Sequence, residues 1–311
     1  MTLSTPGLHH VTAIAGDPVR NRSFYTDTLG LRLVKRSVNQ DDPSVWHLFY
    51  GDRAGSPGSS LTVFPYPGAS PGRAGTGQVT TVGLSIPTGS VEYWIDRLEK
   101  ADCHREEPLE RFDTTVVPFR DPDGLQLELV EAGGPPGDPP EGPVPPEHAI
   151  RGFADVTLTV AEEGSLPGLL GAMGYRETGT RGQLTRFETD GERGSVLYYR
   201  TDPEAPRGRQ GAGTVHHVAF RVRKATQAKW REALIDRGLR PTEIIDRKWF
   251  ASVYVRTGPG ILFEFATETP GYTVDEPVDA LGSKLVLPEW LENRRAEIES
   301  ALPPLERAEG D

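Results

Sequence analysis

Four segments of this 311-residue chain close in the same way. "GSSLTVF" from Gly58, "GLQLELV" from Gly124, "GSVLYYR" from Gly194 and "GILFEFA" from Gly260 each open on a glycine and run on as a strand. The fourth residue after each glycine is Thr62, Glu128, Tyr198 or Glu264, at separations of 66, 70 and 66 residues. Four openings match them: "LHHVTAIA" from Leu8, "VTTVGLSI" from Val79, "FADVTLTV" from Phe153 and "VHHVAFRV" from Val215. In each a variable pair precedes a Val, and a period-two run follows, the signature of a half-buried strand. A helix-like stretch comes next. The first has Asp17 as cap, Pro18 at its first position and Gly30 as its stop. The third, "SLPGLLGAMGY", is the weakest, with Pro167 and three glycines. A unit of strand, helix and then several strands, met four times, restricts the fold more than local propensity does, and the class it predicts is α+β.

The stretch "GGPPGDPPEGPVPPEH" (133–148) can build neither helix nor central strand and reads as a linker. The expected organisation is an N-terminal domain over 1–132, the linker, a C-terminal domain over 149–270 and a tail over 271–311. Within the tail Pro288 to Leu302 reads as an amphipathic helix with Leu291, Ile298 and Leu302 on one face, suited to cover a barrel or a partner subunit. Hydrophobic residues at 36% and charged residues at 25% fit a soluble globular protein. No apolar run reaches the roughly 20 residues that span a bilayer. The first residues lack the pattern of a signal peptide, and Cys103 has no partner for a disulfide, so the expected location is the cytoplasm. A net charge of −11 with scattered arginines argues against nucleic acid.

On a regular strand adjacent residues face opposite ways, so one histidine of each His-His pair differs in environment from the other. His216 shares its side with Val218, Phe220 and Val222, whereas His217 shares its side with Ala219 and Arg221. Asp155 and Thr81 take the matching polar positions in the third and second copies. His10 and His217 therefore fall on the polar side, and Glu264 leaves the side of Ile261, Phe263 and Phe265. A single strand histidine is usually a hydrogen-bonded core residue. Here the corresponding places of His10, His217 and Glu264 in the repeat favour metal ligation.

At these residues the sequence resembles the vicinal oxygen chelate superfamily, whose βαβββ modules pair into metal-binding cups. More narrowly, both HHV triplets, "GILFEFAT" and the tail "LPEWLENRRAEIESALPPL" resemble the hydroquinone-type ring-cleaving extradiol dioxygenases. The resemblance implies four modules in two domains with cupped mixed sheets, and His10, His217 and Glu264 as ligands. Two histidines and a carboxylate suit Fe(II), with Mn(II) a compatible alternative. Pairing modules one with two and three with four would split these ligands between cups. Pairing one with four brings all three together and leaves Thr81, Glu128, Asp155 and Tyr198 in the other cup, so the chain is expected to close on itself.

The resemblance also implies that Thr12, Arg247, Tyr254, His9 and His216 surround the metal, with His9 and His216 orienting the ligands. The implied reaction opens the ring of a hydroquinone or catechol beside a hydroxyl, using O₂, with Tyr254 or an outer histidine moving protons and Arg247 steadying a developing anion. The implied partners are a small aromatic diol and O₂, with neither nucleic acid nor membrane, and a homo-oligomer is compatible. Two rivals share the superfamily. One is a glyoxalase-like isomerase or thiol-conjugate lyase, which commonly uses more carboxylate and Zn²⁺ or Ni²⁺. The other is a non-catalytic binder of aromatic drugs, whose cups lack ligands. Outside the site, His47 is expected to pack within the first module, and His104 and His148 to be solvated.

Overall fold

A computed structural model describes residues 3–135 and 137–306. The first module is β1 (Leu8–Ala15), α1 (Pro18–Ser23) continuing as a π-helical turn over Phe24–Thr28, β2 (Arg32–Asn39), β3 (Asp42–Gly51) and β4 (Ser60–Pro65). The second is β5 (Gln78–Ser85), α2 (Val91–Lys100), β6 (Leu109–Arg111), β7 (Thr114–Arg120) and β8 (Gln126–Val130). The third is β9 (Phe153–Val160), α3 (Leu166–Ala172), β10 (Arg176–Arg181), β11 (Leu184–Glu188) and β12 (Val196–Thr201). The fourth is β13 (Thr214–Val222), α4 (Gln227–Ile235), β14 (Ile245–Asp246), β15 (Ala251–Arg256) and β16 (Leu262–Thr267).

The helices begin where the sequence caps them. Asp17 accepts a 2.7 Å hydrogen bond from the Arg20 amide, and Pro18 fills the first helical position, where its missing N–H leaves no bond unmade. Pro167 is tolerated in α3 for the same reason, and the short helix is held by buried Leu166, Leu169 and Leu170. Gly30 ends the first helical segment with φ of 68°, a conformation costly for any residue with a Cβ.

The strands form two eight-stranded mixed sheets. One has the order β14-β15-β16-β13-β1-β4-β3-β2 and the other β10-β11-β12-β9-β5-β8-β7-β6. Antiparallel β1–β13 joins the first module to the fourth, and antiparallel β5–β9 joins the second to the third. Each sheet therefore draws strands from both sides of the 133–148 stretch. One continuous apolar core contains Val11, Val82, Val156 and Val218 of the strands together with Tyr25, Trp94, Leu170 and Trp230 of the helical segments. A second cluster lies on the cupped side of the first sheet, where Phe49, Trp249 and Phe250 meet Tyr272, Leu281 and Val286 of the tail.

Residues 137–148 carry no helix or strand, yet the segment is fastened to α2. Arg97 donates to the Pro143 carbonyl at 3.1 Å, Val144 is buried, and the Trp94 indole donates to the His148 carbonyl at 2.9 Å. His148 is not solvated as expected. It is half-buried, stacked on Tyr93 with ring centroids 4.2 Å apart, because the chain crosses α2 at that point. His104 is exposed. The expected helix over 288–302 is α-helical only as α5 (Arg295–Ala301), and Glu289–Arg294 is 3₁₀. Its apolar face is as read: Leu291 and Ile298 are buried against Val38 and Leu287, with Leu302 packed beside them. The tail also bonds to the edge strand β2, through the Val286 amide and the Arg36 carbonyl at 2.9 Å, and so covers an otherwise open row of backbone groups. Among the described residues, no helix is long and apolar enough to cross a membrane.

Candidate metal centre

The β1–β13 seam is irregular at its two histidine pairs. Leu8 pairs with Phe220 but His10 with Ala219, and Thr12 pairs with His217 but Ala13 with Val215. His9 and His216 are thus the extra residues of two bulge-like register slips, one on each strand. A bulge re-aims side chains, so strict alternation fails here. The two histidines of a pair are not turned to opposite faces; their Nδ1 atoms meet, at 2.9 Å for His9 and His10 and at 2.8 Å for His216 and His217. This corrects the expectation from parity. Equivalent slips occur on the β5–β9 seam, at Thr80 and Ala154.

These contacts aim Nε2 of His10 and of His217 at one point. The two atoms are 3.2 Å apart, and Glu264 Oε2 lies 3.2 Å from the first and 2.8 Å from the second. All three residues are buried. Glu264 reaches the point from β16, with Oε1 taking a short hydrogen bond from Ser252 and Oε2 satisfied by no hydrogen bond. If each ligand histidine donates its Nδ1–H to its neighbour, both Nε2 lone pairs face the carboxylate. Three acceptors this close require a proton or a cation among them. Among the described residues this is the one group of three His, Cys, Asp or Glu with ligand atoms mutually within 4.8 Å.

Charges follow from burial. Burial opposes ionisation of Glu264, but the adjacent imidazoles, His10 first and then His217, outweigh it and hold the carboxyl well below its usual range. Burial first, then His10, pushes His9 down to about 3; burial first, then His217, does the same to His216. Both outer imidazoles are therefore neutral near pH 7 and able to accept from the ligands. In the unfolded chain they titrate near 6.5. Between pH 6.5 and about 3 the unfolded state binds more protons, so their stabilising contribution, present above pH 6.5, is lost as pH falls through that window. Metal-free protein should lose denaturation midpoint over that range, and His9→Asn should flatten the decline; identical slopes would count against the assignment.

A cavity of about 290 Å³ opens above the triad. That is near the lower end of small-molecule sites and suits a single ring. Its walls include Phe49, Phe64, Trp249 and Phe250, with Tyr254, Arg247, Gln40 and Asp41 on the polar side. The Arg247 Nε donates to the Tyr254 hydroxyl at 3.2 Å. Burial, reinforced by Glu264, pushes the Tyr254 phenol well above its usual range, so it remains a proton donor.

Thr12 is buried and does not line the cavity. Its Oγ1 is 2.9 Å from His217 Nε2 and 2.7 Å from Thr62 Oγ1, which in turn is 2.9 Å from His47 Nε2. His47 belongs to the first module's sheet as expected, but it also lines the cavity, its ring tilted against those of Phe49 and Phe64. Burial first, then His10 and His217, holds it well below its usual range. Reasoning from the openings and closings missed His47, Phe49 and Phe64, and also Gln40 and Asp41. The first three stand on middle or closing strands and the last two on the β2–β3 turn, and none carries a metal-ligand signature in the repeat.

Residues 7–129 match the profile of the Glyoxalase/Bleomycin resistance protein/Dioxygenase superfamily. Over 306 residues the chain is 42% identical to "Putative ring-cleaving dioxygenase MhqE" of Bacillus subtilis, covering 97% of this chain and 100% of that one. The chain belongs to this superfamily. The chlorohydroquinone/hydroquinone 1,2-dioxygenase of Sphingobium indicum is another superfamily relative, 34% identical with 94% of each chain covered. A solved Bacillus subtilis structure described as a "putative dioxygenase" superposes with a TM-score of 0.95 at 40% identity, over 98% of both chains. Glyoxalase I of Zea mays shares the fold alone, with a TM-score of 0.62 at 16% identity over 85% of this chain and 92% of that one.

Proposed function

We propose that the protein is an Fe(II)-dependent, extradiol-type ring-cleaving dioxygenase acting on a hydroquinone or catechol-type diol with O₂. The observation that carries this reading is the convergence of His10 Nε2, His217 Nε2 and Glu264 Oε2 at the floor of an aromatic-walled cavity. Two neutral nitrogens and one carboxylate on one side of a point form the donor set of the facial triad, which leaves open positions for substrate and O₂. Iron held there supplies the redox coupling between diol and O₂ that no side chain of the chain can supply. The relatives named as a "putative ring-cleaving dioxygenase" and as a chlorohydroquinone/hydroquinone 1,2-dioxygenase support the reaction class. The relative named for hydroquinones supports the substrate class.

The remaining work falls to the chain's own groups. The aromatic walls hold a ring and exclude water, which strengthens every polar contact inside. His10 and His217 keep their ligand lone pairs because His9 and His216 accept their Nδ1 protons. Tyr254 stands as a proton donor beside the triad, and Arg247, hydrogen-bonded to its hydroxyl, offsets negative charge arising there. Cleavage of the C–C bond beside one hydroxyl of a 1,4-diol places one oxygen atom of O₂ on each freed carbon, giving a carboxylic acid at the hydroxylated carbon and an aldehyde at its unsubstituted neighbour, while the second hydroxyl remains as an enol.

The test is oxygen consumption by protein reconstituted anaerobically with Fe(II), against a panel of hydroquinones and catechols. Uptake is expected with a ring-opened product, and His10→Ala should abolish it. Uptake that survives His10→Ala would remove the first module from the centre. Iron-loaded protein that consumes no oxygen with any diol would instead point to an isomerase or lyase.

A further inference from the structure

The second sheet makes a cup of its own, and the repeat maps one cup onto the other. Asp155 matches His10, Thr81 matches His217 and Glu128 matches Glu264. Arg111 precedes Glu128 by the same 17 residues by which Arg247 precedes Glu264. The two arginines hold opposite poses. Arg111 turns into its cup, 2.7 Å from Glu128 Oε2 and 3.2 Å from Asp155 Oδ2, so that a guanidinium takes the place that corresponds to the triad's centre. Arg247 stays at the mouth of its cavity, 3.4 Å from Gln40 Oε1 and 3.3 Å from Asp41 Oδ2.

The surroundings account for the difference. Arg111 lies 4.6 Å over the ring of Tyr198, and in the first sheet that position is Thr62, too small to serve as a shelf. Arg247 lies 5.2 Å over Tyr254, and in the second sheet that position is Pro118. The outward partners differ as well. Gln40 and Asp41 form the β2–β3 turn, and Gln40 also donates to the Arg247 carbonyl at 3.2 Å. The matching β10–β11 turn is Gly182 and Gln183, which offers no carboxylate.

We propose that Gln40 and Asp41 are positioning residues for metal uptake: they hold Arg247 at the mouth, and without them Arg247 turns inward and pairs with Glu264 as Arg111 pairs with Glu128. This rests on the triad being the metal site. An internal cation in the cup lowers affinity in proportion to the fraction of molecules left open, so an arginine turned inward nine-tenths of the time weakens binding about tenfold. Asp41 is exposed, and one exposed pair counts for little. The two residues are therefore replaced together.

The experiment measures Mn(II) affinity, by electron paramagnetic resonance of the free ion, for four proteins: wild type, Arg247→Ala, Gln40→Ala/Asp41→Ala and the triple variant. Wild type and Arg247→Ala should bind alike, the double variant about tenfold more weakly, and the triple variant as wild type does. A double variant that binds as tightly as wild type overturns the proposal. So does a triple variant as weak as the double, since the loss would then come from the turn itself or its charge. Wild-type protein that binds no Mn(II), Fe(II) or Co(II) would instead defeat the triad reading.

Discussion

Glu264→Gln should remove both bound iron and ring cleavage while leaving the fold intact. Removing an outer-shell partner of a metal ligand typically costs 10- to 100-fold, so loss of the carboxylate ligand itself should exceed about a hundredfold in kcat/KM. Glutamine keeps the size of the side chain and can still accept from Ser252, so the buried position does not become a cavity. What changes is the charge that binds a cation between two imidazoles. Iron content after gel filtration and oxygen uptake should fall together. Full activity with full iron content would show that the metal lies elsewhere. The comparison with Glu128→Gln is informative, because the matching carboxylate of the second cup pairs with Arg111 and should leave iron content untouched.

The second large effect is on stability. Lys35 is wholly buried on β2, with Nζ 2.5 Å from Asp275 and in a short hydrogen bond with Glu276. Asp275 also accepts from the Trp249 indole at 2.9 Å. This cluster joins the tail to a wall of the cavity. Lys35→Ala leaves buried Glu276 without its counter-charge, and breaking such a pair from one side costs about 3–5 kcal/mol. Denaturant unfolding should show that loss, and proteolysis should cut the tail more readily. Combining Lys35→Ala with Glu276→Ala should recover part of the deficit, as expected for groups that interact directly. Additive losses would mean that the pair does not act as a unit.

Much of this organisation was legible in the chain. Register within the repeat was enough to single out His10, His217 and Glu264, and counting ligands predicted the pairing of the first module with the fourth. The cupped α+β architecture was what the family resemblance of these residues implied. What escaped has physical reasons. A bulge is one residue long and leaves no periodic trace, so His9 and His216 were assigned the wrong side. The cavity walls come from β3, the β2–β3 turn and the tail, brought together only by tertiary packing. His47 looks like any strand histidine until Thr62 and Thr12 are seen to connect it to His217. His148 lies in a proline-rich run whose composition suggests solvent, but Tyr93 supplies a stacking surface.

The β1–β13 seam has a consequence for biosynthesis. All strands of the second sheet lie between Gln78 and Thr201, so they can pair as soon as that stretch leaves the ribosome. β1 gains β4 early on one edge, but its other partner, β13, comes much later. At about 5–20 residues per second, His10 waits on the order of ten to forty seconds for His217 to be translated. During that time β1 presents an unpaired edge and two closely spaced histidines to the cell. The triad is consequently completed only after the second sheet, and a chain stopped between Thr201 and Glu264 carries every strand of that sheet but cannot complete the triad.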